Sequence, residues 1–544
     1  MTHRSRVLAV LYLFALAMSS CGTPAQSTNP PTATPIVPGS AGTGGPAATS
    51  TPAVITPGPG TPQPQPTPVL LGPDAEKFPS NYNPLTGQPV QDLSSIRLPA
   101  MLISISNFPA TARPQAGLSF ASYVFEFSIT EGATRFLSVF YGDFPHMQRP
   151  VAGPCSVRME PFHQTSELLL GNRVWLDSNG NGVQDGLEPG IGGVCVNLYD
   201  SSGKQVGRTT TDSNGYYGFN ASAGSYTVEV VKPAGMQFTQ ANVGDEAHDS
   251  DADPQTGRMQ FQISGTDLSL DAGLTFPSQA TPTVDASIQP VKPEVGPVRS
   301  GRLVYADFAN MFQDSCLVYA FASEEVLPNI PTCAMVAHEV SGGGAMLPLT
   351  RMRAIAEGNR KDDAKFNYAS NLFNAVPPAG GLPGTQLDVY FALLNQSGWK
   401  YDPLMQSYLR YTDTTEKEKA GQLHPDTDRL TGRQLHFENL IVLFAEHQVI
   451  APTILDMDLS QGAYGPAVLF RDGQAYNIRW STRSGEYEKK TGLRRPIQWQ
   501  NADGSPFPLK PGHTWVLIVT PFSPLTDTGA GLWKLRFAAP EGSK

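Results

Sequence analysis

The chain has 544 residues, 38 Lys and Arg against 48 Asp and Glu, and a formal net charge of −10. An acidic chain without a basic block beyond its first residues excludes a nucleic-acid binder and a polybasic membrane patch. Its length suits roughly three to four domains.

Residues 1–20 have a short basic start (Arg4, Arg6), an apolar run over 7–17 and then small residues. That is a secretory signal, too short to span a bilayer. Residues 21–77 are rich in Pro, Thr, Ser, Gly, Ala and Gln and almost free of charge until near the end. Such a segment cannot bury a core, so it is expected to be a disordered tether. Met18-Ser19-Ser20-Cys21 resembles a bacterial lipobox. The resemblance implies that Cys21 is lipidated and anchors the chain to the membrane. The other reading is ordinary signal cleavage near Ala15-Leu16-Ala17.

A host domain begins near residue 78. Asn83-Pro-Leu-Thr-Gly87 is turn chemistry. Met101-Leu-Ile-Ser-Ile-Ser-Asn107 alternates like a strand, and Tyr123-Val-Phe-Glu126-Phe and Arg135-Phe-Leu-Ser-Val-Phe-Tyr141 read as two more. The pattern breaks over 148–170 and resumes at Gly296-Pro-Val-Arg299-Ser-Gly-Arg302. Arg113, Arg135, Arg299 and Arg302, with Glu126 and Glu131, form the constellation of the host's first half. Arginine suits bidentate recognition of carboxylate or phosphate. The group is expected to bind an anionic ligand, or else to be a buried Arg–Glu network.

Between the two pieces lies DSNGNGVQDGLE, residues 177–188. Asp177, Asn179, Asn181, Val183, Asp185 and Glu188 fall at positions 1, 3, 5, 7, 9 and 12, with Gly182 at the sharp turn. This is the oxygen-ligand spacing of a calcium loop, with Val183 offering its carbonyl. The flanking helices of an EF-hand are missing. Gly171-Asn-Arg-Val-Trp-Leu, Val194-Cys-Val-Asn-Leu-Tyr and Tyr226-Thr-Val-Glu-Val-Val alternate as strands, so the loop belongs to a β-sandwich. Asp245, Asp249, Asp251 and Asp253 complete this site or form another.

These residues, with Thr211-Asp212-Ser-Asn-Gly215-Tyr-Tyr217-Gly-Phe219 and Leu270-Asp271-Ala-Gly273, resemble the SdrD B-like domains, relatives of the Cna B-type domains of bacterial surface proteins. The resemblance covers 171–275 and implies an all-β Greek-key sandwich that binds calcium and serves as a rigid spacer. Some Cna B-type relatives form a Lys–Asn isopeptide bond. The first strand here offers Arg173 and no Lys, so none is expected.

The remainder resembles the YerB-like bacterial lipoproteins, through the motifs at Asn83, Ala112, Glu131 and Gly296 and, later, Asn439-Leu-Ile-Val, Gly465-Pro-Ala-Val-Leu-Phe470 and Leu509-Lys-Pro-Gly512-His-Thr-Trp515. The resemblance implies an N-terminal and a C-terminal domain of unknown function. The expected organisation is an α+β host of two β-rich domains, interrupted by the sandwich. Residues 78–170 and 296–384 make the first host domain, 276–295 a linker and 385–544 the second host domain.

Of the 5 cysteines, four remain after Cys21. Cys316 with Cys333, close in sequence, is the expected disulfide, and Cys155 with Cys195 would then tie the insert to its host. No nucleophile elbow, zinc helix or P-loop is present, the 9 histidines are scattered, and Asp426 and Asp428 read as a solvated turn. The expected function is a non-catalytic envelope lipoprotein on the outer face of the bacterial membrane, binding an anionic cell-wall component or another envelope protein. The alternatives are a secreted protein and a hydrolase or transferase acting on a cell-wall polymer, with Glu126 or Glu131 as acid/base.

Overall fold

The computed structural model describes residues 70–148, 151–277, 291–336, 344–362, 367–414, 419–451 and 454–543. The expected secretion signal, Cys21, the expected tether to residue 69 and most of the expected linker lie outside them. The chain from Pro66 to Lys544 forms one unit.

The host is built on a long sheet that uses strands from both of its halves. Its order runs Ala334–Met335, Cys316–Tyr319, Met101–Ser106, Ala133–Phe140, Tyr123–Thr130, Thr514–Val519, Asn439–Phe444, Tyr464–Arg471, Gln474–Ser481 and Leu382–Pro383. Glu294–Val298 also pairs with Met101–Ser106, at Val298 opposite Ile105. Residues before and after the insert therefore share one sheet. That sheet continues into the second half of the host, because Thr514–Val519 runs parallel to Tyr123–Thr130. Met101–Ser106 and Thr514–Val519 are buried on both faces. This is what a central strand in a covered sheet requires, and it explains why their sequences hold few charges.

One face packs on a seven-stranded sheet that includes Gln386–Ala392, Asn395–Asp402, Ser407–Thr412 and Leu532–Arg536. Phe136, Trp399, Tyr408, Phe470, Trp515 and Leu535 fill that interface. The other face is covered by the helix Tyr305–Met311 and loops, through Phe125, Phe127, Tyr305 and Phe308. Two aromatic cores, one on each face, thus hold three layers.

The insert is a sandwich of two four-stranded sheets. One orders Arg258–Ile263, Gly224–Val230, Cys195–Asp200 and Gln205–Thr210. The other orders Gln237–Phe238, Ala272–Thr275, Leu168–Leu176 and Tyr216–Ala221. Its core is separate and contains Val174, Val196, Tyr217, Val228 and Leu274.

The insert docks on the host instead of standing away as a free spacer. Arg158 is shared between Asp212 of the sandwich, at 3.4 Å, and Asp402 of the host, at 3.2 Å. Asp402 is fully buried and also accepts the Phe162, Leu404 and Met405 N–H groups. Tyr216 packs on Met405, Leu409 and Tyr411. Gly218 allows close packing at this seam, since a Cβ there would sit 2.5 Å from the end of the Leu404 side chain, which would have to shift. Cys155 is bonded to Cys195, which joins the connecting segment to the sandwich, and Cys316 to Cys333.

Burial raises the Asp212 carboxyl to about 6, with Arg158 opposing the shift and Asp402 adding to it. Between the ordinary aspartate range and pH 6 the folded state therefore holds a proton that the unfolded state has released. This group's contribution to stability falls as pH rises through that window. Arg158→Met removes the opposing charge and leaves two buried carboxylates unpaired. It is expected to lower unfolding free energy by about 3 kcal/mol at pH 7 and by less at pH 5. Urea unfolding at the two pH values measures both.

Candidate functional site

The 177–188 loop leaves the strand Leu168–Leu176 and folds on itself. Asp177 is fully buried. Its Oδ1 accepts the Gly180 and Asn181 N–H groups at 2.6 and 3.2 Å, and its Oδ2 accepts the Gly182 N–H at 2.8 Å and the Thr239 hydroxyl. Gly182 has φ +81°, and a Cβ on it would meet the Gln240 carbonyl at 2.9 Å. This is the position at which a side chain would be strained and also crowded.

The Asn179 and Asn181 amides both donate to Asp185 Oδ2, at 2.7 and 3.0 Å. Glu188 accepts the Ser178 N–H at 2.6 Å and the Trp175 indole N–H at 3.1 Å. Burial raises its carboxyl, and the charges of Asp177 and Asp185 add to the shift. Position 1 is thus linked to the turn, 3 and 5 to 9, and 12 to the start of the loop. A half-turn of either amide presents oxygen in place of nitrogen.

Among the described residues no three Cys, His, Asp or Glu side chains form a ready-made cage. A calcium loop does not need one, because two of its positions are Asn and one ligand is a carbonyl. The donor set is all oxygen, and its carboxylates repel one another, so it fits a hard divalent cation.

Of the second acidic group, Asp245 bonds His248 and the Ala247 N–H, and Asp253 closes the turn to Thr256. Both sit in local turns, and Asp245 lies beside Asp249, whose N–H donates to the Asp245 carbonyl at 3.0 Å. Asp271 joins Asp251. Asp251 Oδ2 accepts the Asp271 N–H at 2.7 Å, and Asp271 Oδ1 accepts the Arg173 N–H at 2.8 Å. Asp249 Oδ1 and Asp271 Oδ2 are buried without a hydrogen-bond partner. Burial holds Asp251 up at about 7, with Asp249 adding to the shift, and holds Asp271 well above the aspartate range. Orphaned buried carboxyl oxygens are what a cation site looks like without its ion. Asp271 stood in the LDAG motif but carried no spacing signal, since its partners lie about twenty residues earlier.

A cleft of about 700 Å³ runs along the loop. Asp177, Asn179, Asp185 and Glu188 line one wall, and Gln91, His146 and Gln148 of the host line the other. The 177–188 loop therefore sits at the seam between insert and host.

The host's charged constellation is not one cluster. Glu126 and Arg135 lie on opposite faces of the long sheet, and the expected Arg–Glu grouping separates accordingly. On the face toward the seven-stranded sheet, Glu126 accepts the Thr134 hydroxyl at 2.9 Å and the Trp515 indole N–H at 3.1 Å. Arg410 lies 3.7 Å from it and also pairs with Asp426. The Arg410 guanidinium is 4.6 Å from the Trp515 ring centre. Arg113 bonds Asp413 at 2.7 Å. Asp428 accepts the Gly117 and Leu430 N–H groups, each at 2.8 Å. Asp428 is thus a buried latch between the host's halves, and Asp426 is buried against Arg410 within the second half, which corrects the expectation of a solvated turn. Glu131 is exposed at the tip of the hairpin, with φ +46°, and does not join the arginines.

On the opposite face, Arg135 is buried across from Ser106. Burial and then the charges of Arg302 and Arg299 push its guanidinium down to about 9, although Tyr305 opposes them. The three arginines are thus neighbours, without the glutamates expected between them.

Comparison with known proteins now places these parts. Residues 168–274 match the SdrD B-like domain. Residues 85–163 match the N-terminal domain, and residues 387–516 the C-terminal domain, of the protein of unknown function DUF3048. Serine-aspartate repeat-containing protein C of Staphylococcus aureus strain Newman is 49% identical over 106 residues, which is 19% of this chain and 11% of that protein. The same protein of strain N315 is 48% identical over the same length. The chain therefore spans about a tenth of these relatives. Among solved structures, the YerB protein from Bacillus subtilis aligns with TM-score 0.41 and 18% identity, over 80% of this chain and 96% of that one.

Arg410→Leu strands Glu126 and Asp426 as buried, unneutralised carboxyls. It is expected to lower unfolding free energy by about 4 kcal/mol. Denaturant midpoints measure the loss, and a change under 1 kcal/mol (about a fivefold shift in the folding equilibrium) would exclude a central role for the latch.

Proposed function

We propose that this chain, an SdrD B-like domain set between the two DUF3048 domains, is a non-catalytic scaffold on the bacterial cell surface whose insert is locked by calcium. The position of the acidic loop carries the reading. Four ligand side chains of that loop, Asp177, Asn179, Asp185 and Glu188, line the cleft to the host, so a cation there stiffens the joint as well as the sandwich. Asp177, Asn179, Asn181, Asp185 and Glu188 hold one ion with the Val183 carbonyl; Asp249, Asp251 and Asp271 form no cage by themselves and enter a second site only together with backbone or water oxygens. The relatives that share the insert are named for serine-aspartate repeats, and a surface location for this chain accords with its N-terminal signal and two disulfides. Cys21 supplies the lipid anchor, and the partner is an anionic wall component or another envelope protein.

The alternative of a wall-active enzyme is less favoured on geometry. Glu126 is sealed beneath Trp515, and Glu131 stands apart from the arginines. An acid/base needs reach to a substrate proton, which neither has together with a cationic partner.

Calcium is expected to stabilise the full-length protein by about 3–4 kcal/mol at saturation. Melting with calcium and with chelator tests this. Asp177→Asn and Asp271→Asn should each reduce the difference, and superimposable curves for the parent protein would sink the reading. Cys21→Ala is expected to shift the protein from the membrane fraction to the soluble fraction, or to block its processing. Unchanged fractionation would place the anchor elsewhere.

A further inference from the structure

We propose that Arg135, Arg299 and Arg302 form a binding site for a phosphoryl group, on the face of the long sheet covered by the helix Tyr305–Met311. The proposal deepens the reading of the host as a binder of an anionic partner and is independent of calcium.

The site is built from two parts of the chain that the insert separates. Arg135 belongs to the strand Ala133–Phe140, where it lies between Ser106 on one neighbour and Phe127 on the other. Arg299 and Arg302 lie in the turn that follows Glu294–Val298. That turn is held rigidly. The Arg299 N–H donates to the Ser104 carbonyl at 2.8 Å, and the Ser104 hydroxyl donates to the Ser300 carbonyl at 3.0 Å. The Gly301 N–H donates to the Phe321 carbonyl at 2.6 Å, and the Ala320 N–H to the Arg299 carbonyl at 2.9 Å. The Tyr305 hydroxyl is occupied by Ser104, at 2.8 Å.

The guanidiniums themselves are only partly satisfied: Arg302 Nη2 donates to Ser300 Oγ at 3.4 Å, and other donors are left over. Arg135 is 3% exposed, and its Nε and Nη1 have no hydrogen-bond partner. Arg299 Nη1 and Arg302 Nε are also buried and unpartnered. Among the described residues no carboxylate forms an ion pair with any of the three. Elsewhere in the host, buried arginines have acids: Arg113 has Asp413, Arg410 has Glu126 and Asp426, and Arg495 has Glu488. Three neighbouring cations, one fully desolvated, destabilise a fold unless an anion neutralises them.

The chemistry of the anion follows from the donors. A guanidinium presents paired N–H groups in a plane, suited to two oxygens at once. A carboxylate has two oxygens and one charge, enough for one such fork. A phosphoryl group has three terminal oxygens and up to two charges, which matches three forks. Arg299 and Arg302 are partly exposed while Arg135 is buried. The group therefore enters past the turn and meets Arg135 at the base.

Inorganic phosphate titrated into the full-length protein tests the site. Ionic strength is held constant, and chelator removes calcium that would precipitate phosphate. Calorimetry is expected to show saturable binding, and Tm to rise by on the order of 5 °C at saturation. Arg299→Ala and Arg302→Ala should each weaken binding at least about tenfold, and the double variant should abolish it. In phosphate-free buffer the double variant should melt no lower than the parent, because it removes like-charge repulsion. A purely structural role predicts the opposite, a lower Tm in every buffer. Binding of glycerol phosphate alone would identify a soluble or polymer-borne group. Binding of phosphatidylglycerol vesicles that is lost in the double variant would identify a lipid headgroup, and either result supports the site. Acetate binding in place of phosphate overturns the phosphoryl assignment and leaves the anionic reading standing. An equal phosphate response in parent and double variant overturns the site, and no response to any anion overturns both.

Discussion

The strand at residues 123–130 and the strand at residues 514–519 lie side by side in parallel, and the host depends on that pairing. Nearly four hundred residues of chain separate them, as the Glu126–Trp515 hydrogen bond records. A parallel pair has no tight turn to set its register, so side chains must do it. Glu126 does so by taking the Trp515 indole N–H and then facing Arg410 of the second sheet. One buried carboxylate thereby fixes the register within the long sheet and the packing of the seven-stranded sheet upon it.

The same sheet sorts the host's charges by parity. Successive residues of a strand point to opposite faces. Glu126 shares its face with Val124, in the core toward the seven-stranded sheet, whereas Arg135 shares its face with Leu137 and Val139, in the core beneath the helix. Of the acids that the arginine-rich motifs bring with them, Glu126 is used on one face as a latch, and Glu131 stands exposed at the hairpin tip. On the other face, among the described residues, no carboxylate forms an ion pair with the three cations. A structural network and a ligand site can arise from the same motifs because a pleated sheet separates them.

The insert interrupts the host without disturbing this plan. Val298 pairs with Ile105 although about two hundred residues of sequence separate them. The sandwich lies on the seven-stranded sheet and is held by the shared Arg158, the Cys155–Cys195 bond and the Tyr216 contact. Its acidic loop meets the host across a cleft, so a cation bound there acts on the joint.

Local patterns were legible in the sequence. The spacing of residues 177–188 specified an oxygen-lined loop because its ligands are neighbours along the chain. Alternation specified sandwich strands such as Gly224–Val230, where Val228 and Val230 are buried and Glu229 is not, although Val174, Trp175 and Leu176 are all buried in the first strand. Residues 101–106 and 123–130 were legible as strands too, though not as central ones. What the sequence did not contain was distance in space between residues far apart in the chain. Asp271 joins Asp249 and Asp251 through a backbone pairing that no spacing encodes. Asp426 and Asp428 look like a polar turn until Arg410 and the Gly117 N–H close on them. The partition of Glu126 from Arg135 is in principle a matter of parity, but it decides a site only once the layers on each face are known. Short-range ligand spacing is a property of the chain; the pairing and burial of charge belong to the fold, because desolvation depends on everything packed around the group.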